Sequence, residues 1–138
     1  HQRMIQDGRV TNGPTVPEMM LIRAESIARQ NGSVTDVLDI LNTLRRKRYL
    51  LANYTDLTAA SISEALALTL VERRKELMVK GLRWFDQKRF VAVDGTFPTQ
   101  TRTYKGETYT LEANSPRYVF PIAIKYILLN PAIEQNPR

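Results

Sequence analysis

Two apolar stripes of helical period, parted by a single Asn-Gly, constrain this chain more than any other feature. Met20, Leu21, Ala24, Ile27 and Ala28 recur on one face, which is the spacing of a 3.6-residue helix laid against a core. Thr15-Val16-Pro17-Glu18 ahead of them has capping-box spacing, with proline where its missing N–H costs nothing. Asn31-Gly32 closes the helix. Ser33 caps the next one, Asp36 sits in its first turn, and Val34, Val37, Leu38, Leu41 and Leu44 form its stripe. Small Ala24 and Ala28 let a neighbour come close. Two helices of similar length across so short a turn predict an antiparallel pair over residues 15–48, the unit from which helical repeats are stacked.

A second helical pair is expected over 61–90. Ser61-Ile62-Ser63-Glu64 is another capping box, and the helix behind it carries Ile62, Leu66, Leu70, Arg73 and Leu77 on one side. Leu68, Val71 and Met78 make a second apolar set, so burial round most of the helix is predicted. Gly81 either caps this helix or kinks it before a shorter one holding Leu82, Trp84, Phe85 and Phe90. Past Asp94-Gly95 and Pro98 the pattern alternates around Lys105-Gly106, which predicts a β-hairpin over 99–112 with a two-residue turn. In that register Tyr104 faces Glu107, Arg102 faces Tyr109, and Thr101, Thr103, Thr108 and Thr110 fill the opposite face. Residues 115–138 read as an extended, proline-bounded tail, with a helical turn over Ala123 to Leu129. The fold class is therefore mainly α, with helical pairs, a small hairpin and a strapped C-terminal tail.

Chemistry-bearing motifs are scarce. The single histidine is His1 and there is no cysteine, so Ser-His-Asp catalysis, thiol chemistry and Cys- or His-ligated metal are not expected. No glycine-rich phosphate loop occurs. No catalytic residue, metal or cofactor is assigned. Glu72 and Glu76, one turn apart among Arg73, Arg74 and Lys75, are read as ion-paired rather than as an acid–base couple. The same reading makes Arg73, Glu76, Arg83, Trp84 and Asp86 a structural cluster. In it Arg73 on the buried stripe needs a carboxylate such as Asp86, Glu76 reaches Lys80, and Asp86 reaches Arg83 or Arg89. Trp84 is placed in the core with Leu82, Phe85 and Phe90. For a ligand, the candidates are the hairpin's Arg102, Tyr104 and Tyr109, since aromatic faces take sugar rings. The charge of +6, from 20 Lys and Arg against 14 Asp and Glu, concentrates in Arg45-Arg46-Lys47-Arg48 and Arg73-Arg74-Lys75. Such runs are expected on solvated helix ends and faces, and nucleic acid is not expected as a partner.

Taken in order, several stretches resemble the C-terminal region of the SusD/RagB family. They are Val16-Pro17-Glu18-Met19-Met20-Leu21-Ile22-Arg23-Ala24-Glu25, Leu41-Asn42-Thr43-Leu44-Arg45 and Glu72-Arg73-Arg74-Lys75-Glu76-Leu77. Gly81-Leu82-Arg83-Trp84-Phe85-Asp86-Gln87-Lys88-Arg89, Tyr118-Val119-Phe120-Pro121-Ile122, Asn130-Pro131 and Gln135-Asn136-Pro137 complete the set. The chain departs from the family pattern at Ala123-Ile124-Lys125-Tyr126 and at Arg138.

The resemblance implies a fragment of an α-α superhelix with TPR-like helix pairs, residues 1–138 being the C-terminal region of a domain several times longer. It implies a Bacteroidetes outer-membrane lipoprotein, surface-exposed and tethered through a lipid anchor that this chain lacks. Such a protein binds a glycan or other nutrient without cleaving it and works with a SusC-type TonB-dependent transporter. Its partners would be that transporter, a glycan or oligosaccharide, and the remainder of its own polypeptide. The opening His1-Gln2-Arg3-Met4, without an initiator Met or an apolar signal core, is read with this as the start of a fragment. Two other classes are open to the residues alone. One is a free-standing TPR-like helical module that binds protein partners; the other is a basic nucleic-acid-binding domain, which requires steeply salt-dependent binding.

Overall fold

The computed structural model describes residues 13–137; the readings made on His1, on residues 1–4 and on Arg138 lie outside them. The described chain is mainly helical with one two-stranded antiparallel sheet, as expected. It divides between Lys80 and Gly81 into two compact units.

The first unit is built from α1 (Val16–Arg29), α2 (Val34–Arg46) and α3 (Ile62–Glu76). Leu21, Ala24 and Ala28 from α1, Val37, Leu41 and Leu44 from α2, and Ala65 from α3 form its core. The turn between α1 and α2 closes as the sequence indicates. Asn31 takes a left-handed backbone with φ 54°, and the Gly32 N–H donates to the Ile27 carbonyl at 2.9 Å. A Cβ on Gly32 would stand 2.7 Å from Ile27 Cγ2, so only glycine lets the chain pass that close. Ser33 Oγ accepts from the Asp36 N–H at 3.3 Å.

The first capping box is not formed. Thr15 occupies the cap position, but its side chain makes no capping bond, and its hydroxyl is buried without a partner among the described residues. Pro17 takes away one of the N–H groups that such a hydroxyl normally accepts from. At α3 the box forms with a shift. Ser61 Oγ accepts from the Glu64 N–H at 3.2 Å, while Glu64 Oε2 accepts from Ala60, one residue before the cap, at 2.8 Å.

The expectation of burial round most of α3 is overturned. Val71 and Met78 are exposed, and Leu66, Leu68 and Leu70 are only half-buried. The inward face is Ala65, Thr69, Glu72 and Arg73, followed by Leu77, so that of the expected stripe Arg73 and Leu77 are buried as placed. Small side chains permit close approach, and the Thr69 hydroxyl satisfies itself inside by donating to the Ala65 carbonyl at 2.8 Å. The connection from α2 to α3 holds a short 3-10 turn, Leu51–Asn53. Buried Asn42 pins this connection. Its Nδ2 donates to the Leu57 carbonyl at 3.1 Å and its Oδ1 accepts from the Leu57 N–H at 2.8 Å.

The second unit holds α4 (Arg83–Asp94), β1 (Gln100–Tyr104), β2 (Glu107–Leu111) and α5 (Ile124–Leu129). Gly95, at φ 74°, ends α4. The strands pair in the expected register, Tyr104 opposite Glu107 and Arg102 opposite Tyr109. Lys105 and Gly106 both have positive φ, 51° and 83°, as a two-residue hairpin turn matched to strand twist requires. The threonine face is present, with Thr103 and Thr108 hydroxyls 3.2 Å apart.

Two expectations fail here. Phe85 is exposed rather than in the core, and the half-buried Trp84 ring packs on Tyr118 and Phe120, with centroids at 4.8 and 5.2 Å. Phe90 stacks on Phe97 instead. The tail is not extended throughout, because Pro116–Tyr118 forms a 3-10 turn capped by Ser115. The helical turn near its end is α5. Gln135 straps the tail. Its Oε1 accepts from the Ile122 N–H at 2.9 Å, its Nε2 donates to the Ile122 carbonyl at 3.0 Å, and Asn136 Nδ2 donates to the Phe120 carbonyl at 2.7 Å.

Candidate functional site

The basic run at the end of α2 is not simply solvated. Arg45 Nη1 donates to Glu72 Oε1 at 2.8 Å, and Lys75 Nζ reaches the same oxygen at 2.8 Å. Arg48 grips Glu76 with both ends of its fork, Nε to Oε2 at 2.9 Å and Nη2 to Oε1 at 2.7 Å. Arg46 pairs with Asp56, whose other oxygen accepts from the Tyr54 hydroxyl. The Arg45 guanidinium also lies 4.6 Å from the Tyr49 ring centroid.

Pairing to Arg48 holds the Glu76 carboxyl below its ordinary range, against the opposing effect of burial. The Tyr54 hydroxyl and then Arg46 do the same for Asp56. A general acid needs a carboxyl pushed upward; Glu76 and Asp56 are pushed the other way. Glu72 and Glu76 are thus ion-paired, Glu72 with Arg45 and Lys75 and Glu76 with Arg48, a partner that was not foreseen. Lys80 lies past the end of α3 at Glu76, yet its charge still helps to lower the Glu76 pKa, after the larger effect of Arg48.

Arg73 is buried in the first unit, whereas Asp86, Arg83 and Trp84 belong to the second. Within that unit Asp86 Oδ1 accepts from Arg89 Nη2 at 3.2 Å, one of the two pairings foreseen. Arg83 lies 4.9 Å over the Phe97 ring.

The ligand candidates Arg102, Tyr104 and Tyr109 stand on one exposed face of the hairpin together with Glu107. The Tyr109 hydroxyl donates to Glu107 Oε2 at 2.8 Å, which raises its pKa above the ordinary value. Lys105 Nζ lies 5.5 Å from the Tyr104 centroid. The face offers two rings, two cations and one carboxylate, a set able to stack and hydrogen-bond but without a nucleophile–base pair. Sequence reasoning did not find the open groove of about 350 Å³ lined by Met20, Arg23, Asp36, Asp39, Ile40 and Thr43. Among the described residues no cluster of three His, Cys, Asp or Glu could hold a metal ion. No described helix is long and apolar enough to cross a membrane.

A model of the SusD family matches residues 16–138, almost the whole chain. The chain belongs to the SusD family. It is similar to the SusD-like protein P38 of Formosa agariphila, at 30% identity over 125 residues. That alignment covers 86% of this chain and 22% of the relative, so the chain spans about a fifth of the relative's length.

Two SusD-type stretches singled out in the sequence acquire structural roles that residue types alone did not reveal. Leu41-Asn42-Thr43-Leu44-Arg45 supplies both the Asn42 pin and the Arg45 clamp. Gln135-Asn136-Pro137 supplies the strap over Phe120 and Ile122.

Proposed function

We propose that this chain is the C-terminal part of a surface-exposed outer-membrane lipoprotein of the Bacteroidetes. In this reading the whole protein captures a glycan or similar nutrient, leaves it uncleaved, and passes it to a SusC-type TonB-dependent transporter. The observation that carries the reading is the SusD-family match over residues 16–138. It is supported by carboxylates engaged with arginine rather than poised for proton transfer, and by a relative of which this chain spans 22%. The work of residues 1–138 is scaffolding, with a TPR-like pair over 15–48, a helical pair over 61–90, a hairpin over 99–112 and a strapped tail over 115–138. On the hairpin, Arg102, Tyr104 and Tyr109 are the contacts proposed for ligand.

The test is made on the product of the natural gene. Intact mass and N-terminal sequencing are expected to give a chain several times longer with a lipid-modified cysteine near its start. Calorimetry against a glycan panel is expected to find a binder that chromatography recovers intact, and Tyr104→Ala is expected to weaken it about tenfold. A mature product of this length alone, or a ligand returned in pieces, would sink the proposal.

A further inference from the structure

α5 is a helix of six residues without one buried side chain or any side-chain cap. Ile124 is 66% exposed, Tyr126 52%, Leu128 74% and Leu129 82%, and Phe120 just ahead is 70% exposed. Six residues are far too few to hold a helix in water by their own backbone bonds, so something must cover this stretch. Nearby, the buried Tyr118 hydroxyl has no hydrogen-bond partner among the described residues, whereas buried hydroxyls ordinarily have one.

We propose that the α5 face, with Phe120, is a permanent internal interface whose occupant is the remainder of the same polypeptide. The inference rests on the reading above, that residues 1–138 are part of a longer chain. The composition selects this occupant. From Val119 to Leu129 the only charged residue is Lys125. Transient partner surfaces are about as polar as any other surface, whereas faces that never part resemble a core cut in half. A glycan would want hydrogen-bonding side chains, and this stretch offers mainly Ile, Leu and Phe. The length fits as well, since in the P38 relative most of the chain lies outside the aligned region.

The chain contains no cysteine, which leaves Leu128→Cys and Ile124→Cys as single reporters in these residues. Each is placed in the natural gene product, and its maleimide labelling rate is compared with the same protein in urea. Circular dichroism confirms that each variant is folded. The expected result is labelling slowed at least a hundredfold in the purified monomer, independent of concentration. Labelling at the urea rate in a long, folded monomer overturns the proposal and leaves the family-based function standing. Protection that grows with concentration assigns the face to a second copy, and protection found only with the co-purified transporter assigns it there; either overturns the proposal. A natural product no longer than this chain, seen by intact mass, removes the occupant and sinks the underlying reading too.

Discussion

The two units keep their shape by different means. In the first, seven aliphatic side chains from three helices share one core, and long-range ion pairs seal its edge. In the second, the buried apolar residues are Phe90, Phe97 and Tyr118. Order there comes from ring stacking and from side-chain amides bonded to backbone. A helical pair whose stripes face each other can bury leucines with few residues. The hairpin cannot, because nearly every one of its residues is exposed, and the tail buries little beyond Tyr118. Large losses from core truncation or from breaking a buried ion pair should therefore be concentrated in the first unit, and the second should answer with smaller losses to removal of its ring and amide contacts.

The sharpest way to break that contrast is a pair of truncations. Leu41 is fully buried and Leu128 is exposed. Leu41→Ala is expected to cost about 3 kcal/mol, by lost transfer energy plus a cavity, and Leu128→Ala under about 0.5 kcal/mol in this chain. Urea titration followed by circular dichroism would read both, and equal costs would dissolve the distinction.

Next comes the clamp. The Arg45 and Glu72 side chains are 13% and 9% exposed, so Glu72→Ala strands a largely buried guanidinium at about 2 kcal/mol. Adding Arg45→Leu should recover part of the loss; a strictly additive double-mutant cycle would show the pair to be uncoupled.

In the second unit, Gln135→Ala removes both bonds to Ile122 and is expected to cost about 1 kcal/mol. It should speed amide exchange at Ile122 while leaving Leu41 untouched, which hydrogen-exchange mass spectrometry can separate.

A pH scan gives a smaller effect confined to the first unit. Glu76 has its folded pKa lowered from 4.5, first by the hydrogen bond from Arg48. Its contribution is therefore full above about pH 4.5 and is lost as pH falls through the depressed value. Glu76→Gln should flatten that part of the acid limb of the stability curve and change little at neutral pH.

Smallest of all, Glu107→Gln is expected to bring the raised Tyr109 pKa back toward 10.0. Tyrosinate absorbance in alkaline titration would show it, with no change in unfolding midpoint.

Legibility in the sequence followed local spacing and not the divide between the units. The α1–α2 pair and the hairpin register were readable because each rests on local spacing, 3.6 residues in one case and two in the other, punctuated by Asn31-Gly32 and Lys105-Gly106. The inward face of α3 was readable only at its C-terminal end, at Arg73 and Leu77. Its leucines point several ways, and the face that closes is Ala65, Thr69 and Glu72, which a hydrophobic pattern passes over. Arg45 with Glu72 and Arg48 with Glu76 are 27 and 28 residues apart, and nothing local marks such partners. Glu76 was therefore read with Lys80, the cation at helical spacing ahead of it, which acts on it more weakly than Arg48. Trp84 went astray likewise, since its ring partners come from the tail and not from its own helix. At the hairpin face proposed for ligand, the register of Arg102, Tyr104 and Tyr109 was legible from the turn. What they contact depends on a partner that a single chain does not encode.

The amide strap has a consequence for how the tail behaves among other chains. Val119 to Ile122 is an apolar stretch, with Val119 and Phe120 well exposed, the kind of segment that recruits a neighbouring strand and seeds aggregation. Recruitment needs free backbone donors and acceptors. Pro121 has no N–H to lend, and Gln135 and Asn136 already engage both groups of Ile122 and the carbonyl of Phe120. The segment can thus be sticky through its side chains while offering these backbone groups to no β-partner.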